Sequence, residues 1–288
     1  NHHENHRCYD GYRMSGPPAK QAPRFSAPAV GTVERWAWDY ILADTLEYKF
    51  NPTPVPADSE WEDAPTVRCL TQASRPEPLS VAADSGRTPR SLMHAEKRAQ
   101  LIHSFLHHEL QAAELMCWAA LRFADAPREF RRGLLGVCRD EIRHMGMYRA
   151  YLNELGFGFG DFPVRDWFWQ RVPSCETPLQ FVATMGVGLE GGNLDHAARF
   201  AARFREVGDE AGAILQERVG AEEVAHVRFA LKWFRHWSGT DEFDAWRGQL
   251  PAPLSPILMR GRPLNVADRC RAGMTEQFVS LLDAWKAQ

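Results

Sequence analysis

The feature that most restricts the fold is a set of four long segments in which apolar residues recur every three to four positions, the period of an α-helix. The segments span about residues 91–124, 127–155, 177–206 and 209–238. Very short joints connect the first to the second and the third to the fourth, which predicts two antiparallel hairpins. The connection Phe157–Glu176 is long enough to run back along a bundle. The pattern therefore predicts an all-α protein, a four-helix bundle with one long crossover between helices two and three.

The rest of the chain is predicted to wrap or brace this bundle. Helical spacing predicts one helix from Thr32 to Phe50 and another from about Val266 to Lys286, whereas the Pro-rich stretches between elements should be irregular. The predicted organisation is a disordered or vector-derived, Pro-rich lead in residues 1–30, an N-terminal helix and Pro-rich wrap in 31–90, the bundle in 91–238, and a C-terminal loop and bracing helix in 239–288.

Charge and composition limit the classes of partner. The chain has 34 basic and 37 acidic residues, so no overall positive field recruits nucleic acid, and nucleic-acid binding is not expected. Its apolar stretches fall short of the roughly 20 residues that cross a bilayer, so no membrane partner is expected. Six cysteines without a Cys-x-x-Cys pair indicate reduced thiols and a cytoplasmic location.

Two Glu-x-x-His tetrapeptides occur on the predicted second and fourth helices, at Glu141–His144 and Glu223–His226. Residues three apart on a helix project from one face, so each tetrapeptide can offer a carboxylate oxygen and an imidazole nitrogen to one cation. A lone Glu precedes each motif on the helix before it. Glu109 lies 32 residues before the first motif, and Glu190 lies 33 residues before the second. Two antiparallel hairpins need such near-equal separations to bring each lone Glu level with its partner's motif.

Apolar residues flank all four carboxylates at helical spacing, so the carboxylates are expected to point into the core. Four buried carboxylates repel one another and lose hydration unless cations neutralise them, and two divalent ions balance four such charges. Oxygen and imidazole donors together suit iron or manganese rather than a structural thiolate zinc site. The predicted ligands of two iron ions, with manganese or a mixed Mn/Fe pair as alternatives, are Glu109, Glu141, His144, Glu190, Glu223 and His226.

Other polar residues near these motifs have open roles. Glu114 is a rival ligand on the first helix, but its position five residues after Glu109 places it off the metal-facing stripe. Asp140 and Glu222 each precede a candidate histidine by four residues, so either can fix that imidazole's tautomer or simply lie on a solvated helix face.

Three further features bear on the chemistry. Tyr148, one turn beyond His144, is expected near the metals as a redox or hydrogen-bonding group, with packing as the alternative. His103 and His107 are assigned mainly to packing or to support of the metal ligands. Four glycines around Glu190 favour close packing, a bulge in the helix, or space for a ligand beside the metals; they are Gly186, Gly188, Gly191 and Gly192.

The chain resembles the ferritin-like superfamily of carboxylate-bridged di-iron proteins, and within it a bacterial ferritin-like family of unknown function. The resemblance rests on His107–Ala112, Asp140–His144, Gly188–Gly191, Glu222–His226, Gly160–Trp167 and Leu254–Pro263. It implies that Glu141 and Glu223 bridge the two metals. It also implies that Glu109 and His144 complete one coordination shell, and Glu190 and His226 the other.

The expected function is that of a di-iron or Mn/Fe oxidoreductase. It would activate O2 or peroxide and oxidise a small organic substrate, with a possible electron-donor protein. The expected catalytic residues are Glu109, Glu141, Glu190, Glu223 and Tyr148. Alternatives are a ferroxidase or peroxide-scavenging protein, a tRNA hydroxylase, and a non-enzymatic metal-binding bundle. The sequence does not specify an oligomeric state.

Overall fold

The computed structural model describes residues 26–286, so most of the lead predicted for residues 1–30 lies outside the described residues. Within 26–286 the protein is helical and has no β-strand, only two isolated bridges, which confirms the all-α prediction. The α-helices are α1 (Val33–Leu42), α2 (Leu46–Phe50), α3 (Ala95–Arg122), α4 (Arg128–Glu154), α5 (Pro178–Phe181), α6 (Gly191–Glu206), α7 (Glu210–Ser238), α8 (Phe243–Arg247), α9 (Val266–Ala272) and α10 (Glu276–Ala284). A π-helical segment, Val182–Glu190, joins α5 to α6 without a break.

Two helical hairpins form the centre of the molecule. Helix α3 packs along α4, helix α6 and the π segment pack along α7, and α4 contacts α7 to join the two hairpins. Pro127 ends the first joint and stands directly before α4. In the second joint, Gly208 adopts a φ of +76° and the Asp209 side chain accepts a hydrogen bond from the Gly212 amide. These short turns give the antiparallel pairs that the sequence predicts.

A polar layer divides the buried apolar side chains into two clusters. One cluster contains Trp118 and Phe181, and the other contains Leu106 and Phe204. On α3, α4 and α7 the residues at the boundary between the clusters are Glu109, Glu141 and Glu223. The candidate metal ligands therefore occupy one level across the middle of the core.

The single helix predicted from Thr32 to Phe50 is in fact two helices. Ala43 is extended (φ −59°, ψ 130°), and Thr45 caps α2 by accepting a hydrogen bond from the Tyr48 amide. The break lets Lys49 fold back, where its Nζ donates to carbonyl oxygens at the end of α1 and to Glu114 Oε1 at 2.7 Å. The buried ammonium group of Lys49 thus donates to carbonyl oxygens that have no further helical partner where α1 ends.

Glu114 anchors the N-terminal wrap to α3. Besides Lys49, it accepts hydrogen bonds from Arg75 at 2.8 Å and from the Trp169 indole at 2.7 Å. Burial acts to raise the pKa of Glu114, but the charges of Arg75 and Lys49 hold it below its usual value. Glu114 is therefore ionised and fully engaged away from the candidate metal ligands, consistent with its exclusion on spacing.

The C-terminal helix predicted from Val266 to Lys286 is likewise divided, into α9 and α10, because Gly273 adopts a φ of +107° and ends α9. The buried Asp195 of α6 holds this part of the chain. It accepts hydrogen bonds from Arg269 at 2.9 and 2.7 Å and from the amides of Gly261 and Asn265. The tail is thus fixed to the helix that carries Glu190 at its N-terminal end.

No helix within residues 26–286 combines the length and apolarity needed to cross a membrane.

The described cysteines form no disulfide; Cys117 and Cys138 approach to 3.6 Å between their sulfur atoms as thiols. Cys8 lies outside the described residues.

Replacing Asp195 by alanine should lower the free energy of unfolding by about 3–5 kcal/mol, because it leaves the guanidinium of Arg269 buried without a counter-charge. Urea denaturation followed by circular dichroism measures this change. Asp283→Ala, which removes the exposed partner of Arg262, is the matched control and should have little effect. Equal stability of the two variants would show that the buried pair does not hold the tail.

Candidate metal centre

The six predicted ligands meet inside the helical core as two overlapping groups, here called the Glu/His cluster. In each group every residue offers one ligand atom, and these atoms lie within 4.8 Å of one another. The first group is Glu109, Glu141, His144 and Glu223; the second is Glu141, Glu190, Glu223 and His226. All six are buried, with at most 6% of any residue exposed. This buried cluster could hold a metal ion.

Both imidazoles turn the same nitrogen toward the carboxylates. His144 Nδ1 lies 3.3 Å from Glu141 Oε2, 3.4 Å from Glu223 Oε1 and 3.6 Å from Glu109 Oε2. His226 Nδ1 lies 3.0 Å from Glu141 Oε1 and from Glu223 Oε2. Glu141 and Glu223 therefore stand between the two histidines, each within reach of both.

The other nitrogen of each imidazole contacts a carboxylate of the opposite helix. His144 Nε2 lies 2.8 Å from Glu222 of α7, and His226 Nε2 lies 3.2 Å from Asp140 of α4. Spacing along each helix predicts the opposite pairing, Asp140 with His144 and Glu222 with His226, and that prediction is wrong. The interface between α4 and α7 brings each carboxylate to the neighbouring helix's histidine instead. A carboxylate at Nε2 leaves Nδ1 free to act as a ligand.

Protons are shared unequally across the cluster. Burial and the charge of Glu141 raise the pKa of Glu109 well above its usual value, and burial and Glu223 do the same to Glu190. Burial also acts to raise the pKa of Glu223, but the charge of His226 and a hydrogen bond with His144 bring it well below the usual value. The result is two ionised carboxylates in the centre and two protonated ones outside.

The histidines are also protonated in this arrangement. Burial acts to lower the pKa of both, but contacts with Glu109 and Glu141 raise the pKa of His144, and the charges of Glu223 and Glu141 raise that of His226. A hydrogen bond to His226 lowers the pKa of Asp140 to about 2 despite partial burial. The protons occupy the positions that a cation would take.

Unsatisfied oxygens show that the donor set fits a metal. Among the described residues, Glu190 Oε1 is buried without a hydrogen-bond or ion-pair partner, and Oε1 of Glu141 and of Glu223 is contacted only by a histidine Nδ1, at 3.0 and 3.4 Å. Leaving a buried carboxylate oxygen unpaired costs on the order of 1–3 kcal/mol or more. A divalent cation among these atoms satisfies oxygen and imidazole donors together.

The π-helical segment carries Glu190 at its last residue. Its glycines are explained by close packing, the first of the alternatives considered from the sequence. A methyl group at Gly188 would lie 2.7 Å from Met259 Sδ, one at Gly192 would lie 3.2 Å from the Met259 carbonyl oxygen, and one at Gly186 would collide with Ala230. The π geometry is the predicted bulge, Gly191 and Gly192 both contact the C-terminal tail, and Gly192 also borders the cavity described next.

A cavity of about 320 Å³, here called the main cavity, extends from exposed residues of the N-terminal wrap to Glu109 and Glu190. It lies between α3, α6 and the crossover. Tyr148 of α4 lines it, and the Tyr148 hydroxyl accepts a hydrogen bond from Gln216 at 3.4 Å. Tyr148 thus lines the same cavity as Glu109 and Glu190, one candidate ligand from each group.

The main cavity also contains side chains that the sequence analysis did not single out. These are His108, Arg165, His196 and Arg199. None of the four belongs to a Glu-x-x-His motif or to the helix stripe of the predicted ligands. No spacing pattern therefore identifies them. His107 contacts Asp166 at 2.8 Å and His103 accepts from the Gly160 amide at 2.8 Å, so both histidines hold the crossover against α3 rather than a candidate ligand.

Comparison with known proteins assigns a family but no activity. A protein-family model described as "Protein of unknown function (DUF455)" matches residues 37–280. A Haemophilus influenzae relative described as "Uncharacterized protein" is 25% identical over 214 residues, which cover 71% of this chain and 74% of the relative. No solved structure matches the chain.

Removing the carboxylate behind one imidazole should weaken metal binding without removing a ligand. Glu222→Gln should lower the affinity for Mn²⁺ about 10- to 100-fold, because the amide holds His144 in its ligating orientation less well. Titration followed by electron paramagnetic resonance measures the affinity. Glu217→Gln, an exposed change one to two turns earlier on α7, should leave it unchanged. Equal affinities for both variants would contradict a supporting role for Glu222.

Metal binding should release protons. Because the pKa of Glu109, Glu190 and both histidines is raised in the metal-free protein, full occupancy displaces up to about four protons. Apparent affinity should therefore rise with pH across the neutral range. Calorimetry in buffers of different ionisation enthalpy measures the number released. Binding without proton release would contradict the protonation pattern described above.

Proposed function

The chain belongs to the DUF455 family, and from this premise and the geometry of the Glu/His cluster we propose that it is a ferritin-like, carboxylate-bridged dimetal oxidoreductase. The metals would be two irons, or a mixed Mn/Fe or manganese pair, that react with O2 or peroxide. A small organic substrate would receive the oxidising equivalents. The observation that carries the proposal is the overlap of two buried four-residue groups that share Glu141 and Glu223.

The overlap assigns a role to each ligand. Glu141 and Glu223 belong to both groups, so these two carboxylates would help to hold both ions. Glu109 with His144, and Glu190 with His226, would complete the separate shells through one carboxylate and one Nδ1 each. Two divalent ions balance four carboxylates, which removes the repulsion that the metal-free protein relieves with protons.

The same proposal includes a ferritin-like arrangement of the helices. Two hairpins of long helices, joined by the connection between α4 and α5, supply one Glu from each of two helices and one Glu-x-x-His from each of the other two. That distribution is typical of ferritin-like di-iron and di-manganese proteins. The π segment before α6 and the added N- and C-terminal elements would be this chain's variations on that architecture.

A pair of iron ions, when bound, supplies two electrons and a place for O2 or peroxide to react. The protein's own residues determine how that reaction proceeds. Apolar clusters above and below the carboxylate layer exclude water, and Asp140 and Glu222 hold the two imidazoles in place. Tyr148 holds its proton tightly, because burial and the charge of Glu109 raise its pKa well above the usual value. Its hydroxyl thus stays neutral and can donate a hydrogen bond at the edge of the main cavity.

The main cavity favours oxidation of a small molecule over metal handling alone. It reaches Glu109 and Glu190, one terminal carboxylate from each group, and its volume of about 320 Å³ lies at the lower end of the range of small-molecule sites. A ferroxidase needs no space of this kind beside its metals. A ferroxidase remains the second candidate, separated from the first by whether an organic molecule changes the reaction.

Anaerobic loading with Fe²⁺ should give about two equivalents per chain, and the loaded protein should react with O2 at least about tenfold faster than free Fe²⁺. Metal analysis and stopped-flow absorbance measure the two quantities. The double variant His144→Ala, His226→Ala should lose both properties. His236→Ala, an exposed histidine near the end of α7, is the matched control and should lose neither.

Near-zero iron, or iron content that survives the double variant, would overturn the assignment of the ligands. Two equivalents that react with O2 no faster than free iron would instead leave a metal-binding bundle without oxidase chemistry. The first result concerns which residues bind iron and the second concerns how the bound iron reacts, so the two parts of the proposal are tested separately.

A further inference from the structure

The lining of the main cavity combines two kinds of side chain. Many are aromatic, among them Phe105 and Phe200 in a T-shaped contact at 5.0 Å. His108 stacks on Phe168 at 5.1 Å on another part of the wall. Two guanidinium groups, those of Arg165 and Arg199, belong to the same lining. Aromatic walls bind a flat or branched apolar body, and guanidinium groups bind an anion.

Arg199 lacks a counter-charge. Within residues 26–286 it forms no ion pair, and its Nε is buried without a hydrogen-bond partner. Its NH2 group lies 3.2 Å from His196 Nδ1, and its guanidinium packs 4.8 Å from the centre of the Phe200 ring. Asp195, the acid next to His196, is already occupied by two hydrogen bonds from Arg269. Arg199 is half-buried, and its contacts with His196 and Phe200 leave its charge without a counter-ion, so the guanidinium is available to an anion.

Arg165 repeats this pattern on the opposite wall. It lies on the crossover, and in the described part of the chain its guanidinium has neither an ion pair nor a hydrogen-bond acceptor. Its backbone carbonyl accepts a hydrogen bond from Gln111 Nε2 at 3.1 Å, which fixes this part of the crossover against α3. The two unpaired cations are therefore presented from α6 and from the crossover to one space.

No acid in the cavity lining is available to neutralise them. Its acidic residues are Glu109 and Glu190, which the proposed metals occupy. The lining histidines add no negative charge, and burial lowers the pKa of His196 to about 4. Apart from the two candidate metal ligands, the charged side chains of the lining are thus the cations Arg165 and Arg199.

We propose that the main cavity binds a small organic acid, with its carboxylate at Arg199 and Arg165 and its apolar body directed toward Glu109, Glu190 and Tyr148. Oxidation of the apolar body of the acid rests on the proposed function, whereas binding of its carboxylate does not. Arg199 follows Glu190 by nine residues of continuous helix, which corresponds to about 13 Å of rise. The spacing favours an acid whose body is several bonds long over one as short as benzoate.

Three arylalkanoic acids and their primary amides test this directly. The probes are phenylacetate, 3-phenylpropionate and 4-phenylbutyrate, each paired with an amide of nearly identical shape that carries no charge. Calorimetry on the full chain should show the longer acids binding about tenfold or more tightly than their amides. Arg199→Gln should remove that preference, and Arg165→Gln should reduce it. Arg205→Gln, on the exposed face of α6, is the matched control and should leave it unchanged.

The same titrations are repeated on metal-free and Mn²⁺-loaded protein, with 4-(4-fluorophenyl)butyrate as a fluorine probe. The proposal expects the acid preference in both forms and a fluorine signal that Mn²⁺ broadens, because the ring end approaches the metals. Acids that bind no better than amides, or a preference that survives Arg199→Gln, overturn it. A preference that requires metal and ignores Arg199 also overturns it, since the carboxylate then ligates the metal.

These outcomes are distinguishable from failure of the proposed function. An Arg199-dependent preference for acids in a protein that binds no iron would retain the cavity assignment and reject the oxidoreductase. Two iron equivalents that react rapidly with O2, without a preference for acids, would retain the oxidoreductase and reject the cavity assignment.

Discussion

Four carboxylates at one level of a helical core are the constraint on which the rest of the structure depends. Their mutual repulsion and loss of hydration can be relieved only by protons or cations, because no lysine or arginine reaches the Glu/His cluster among the described residues. In the metal-free protein, Glu109 and Glu190 have a raised pKa while Glu223 and Glu141 have a lowered one. The cluster could therefore take up a metal ion in exchange for protons.

The surface of the bundle takes part in this balance. Arg143 donates to Asp140 at 2.9 Å and also pairs with Glu222, so one cation connects the two carboxylates that stand behind His226 and His144. Hydrogen bonds from Arg143 help to lower the pKa of both carboxylates, which keeps them ionised as acceptors for the imidazoles. The crossed pairing also ties α4 to α7 at the level of the cluster, so ligand orientation and hairpin assembly depend on the same contacts.

Periodicity and spacing predicted the helices and the meeting of the six residues, because both follow from rules that act within one or two helices. The separations of 32 residues from Glu109 to its motif and 33 residues from Glu190 to its motif are those that an antiparallel hairpin requires. Crossed pairing of Asp140 and Glu222 could not be read in this way, since it depends on how α4 and α7 are rotated against each other. The break at Ala43 depends on Lys49 reaching Glu114, a contact between residues 65 apart in the chain. Arg199 has no motif that distinguishes it from other helical arginines.

The two sides of the Glu/His cluster are not equivalent, and this asymmetry determines where chemistry can occur. Behind Glu190 and His226 lies a void of about 10 Å³ with an otherwise apolar wall that includes Met116 and Phe229, at the lower limit of the space that holds one water molecule. The opposite side opens into the main cavity, where Glu109, Glu190 and Tyr148 are accessible to a larger molecule. The π segment sets this asymmetry, because its glycines allow the chain to pack tightly against Ala230 and Met259 while Glu190 at its end faces the cluster. Close packing on one side of the helix thus leaves the cavity side as the one from which the proposed organic substrate would approach the cluster.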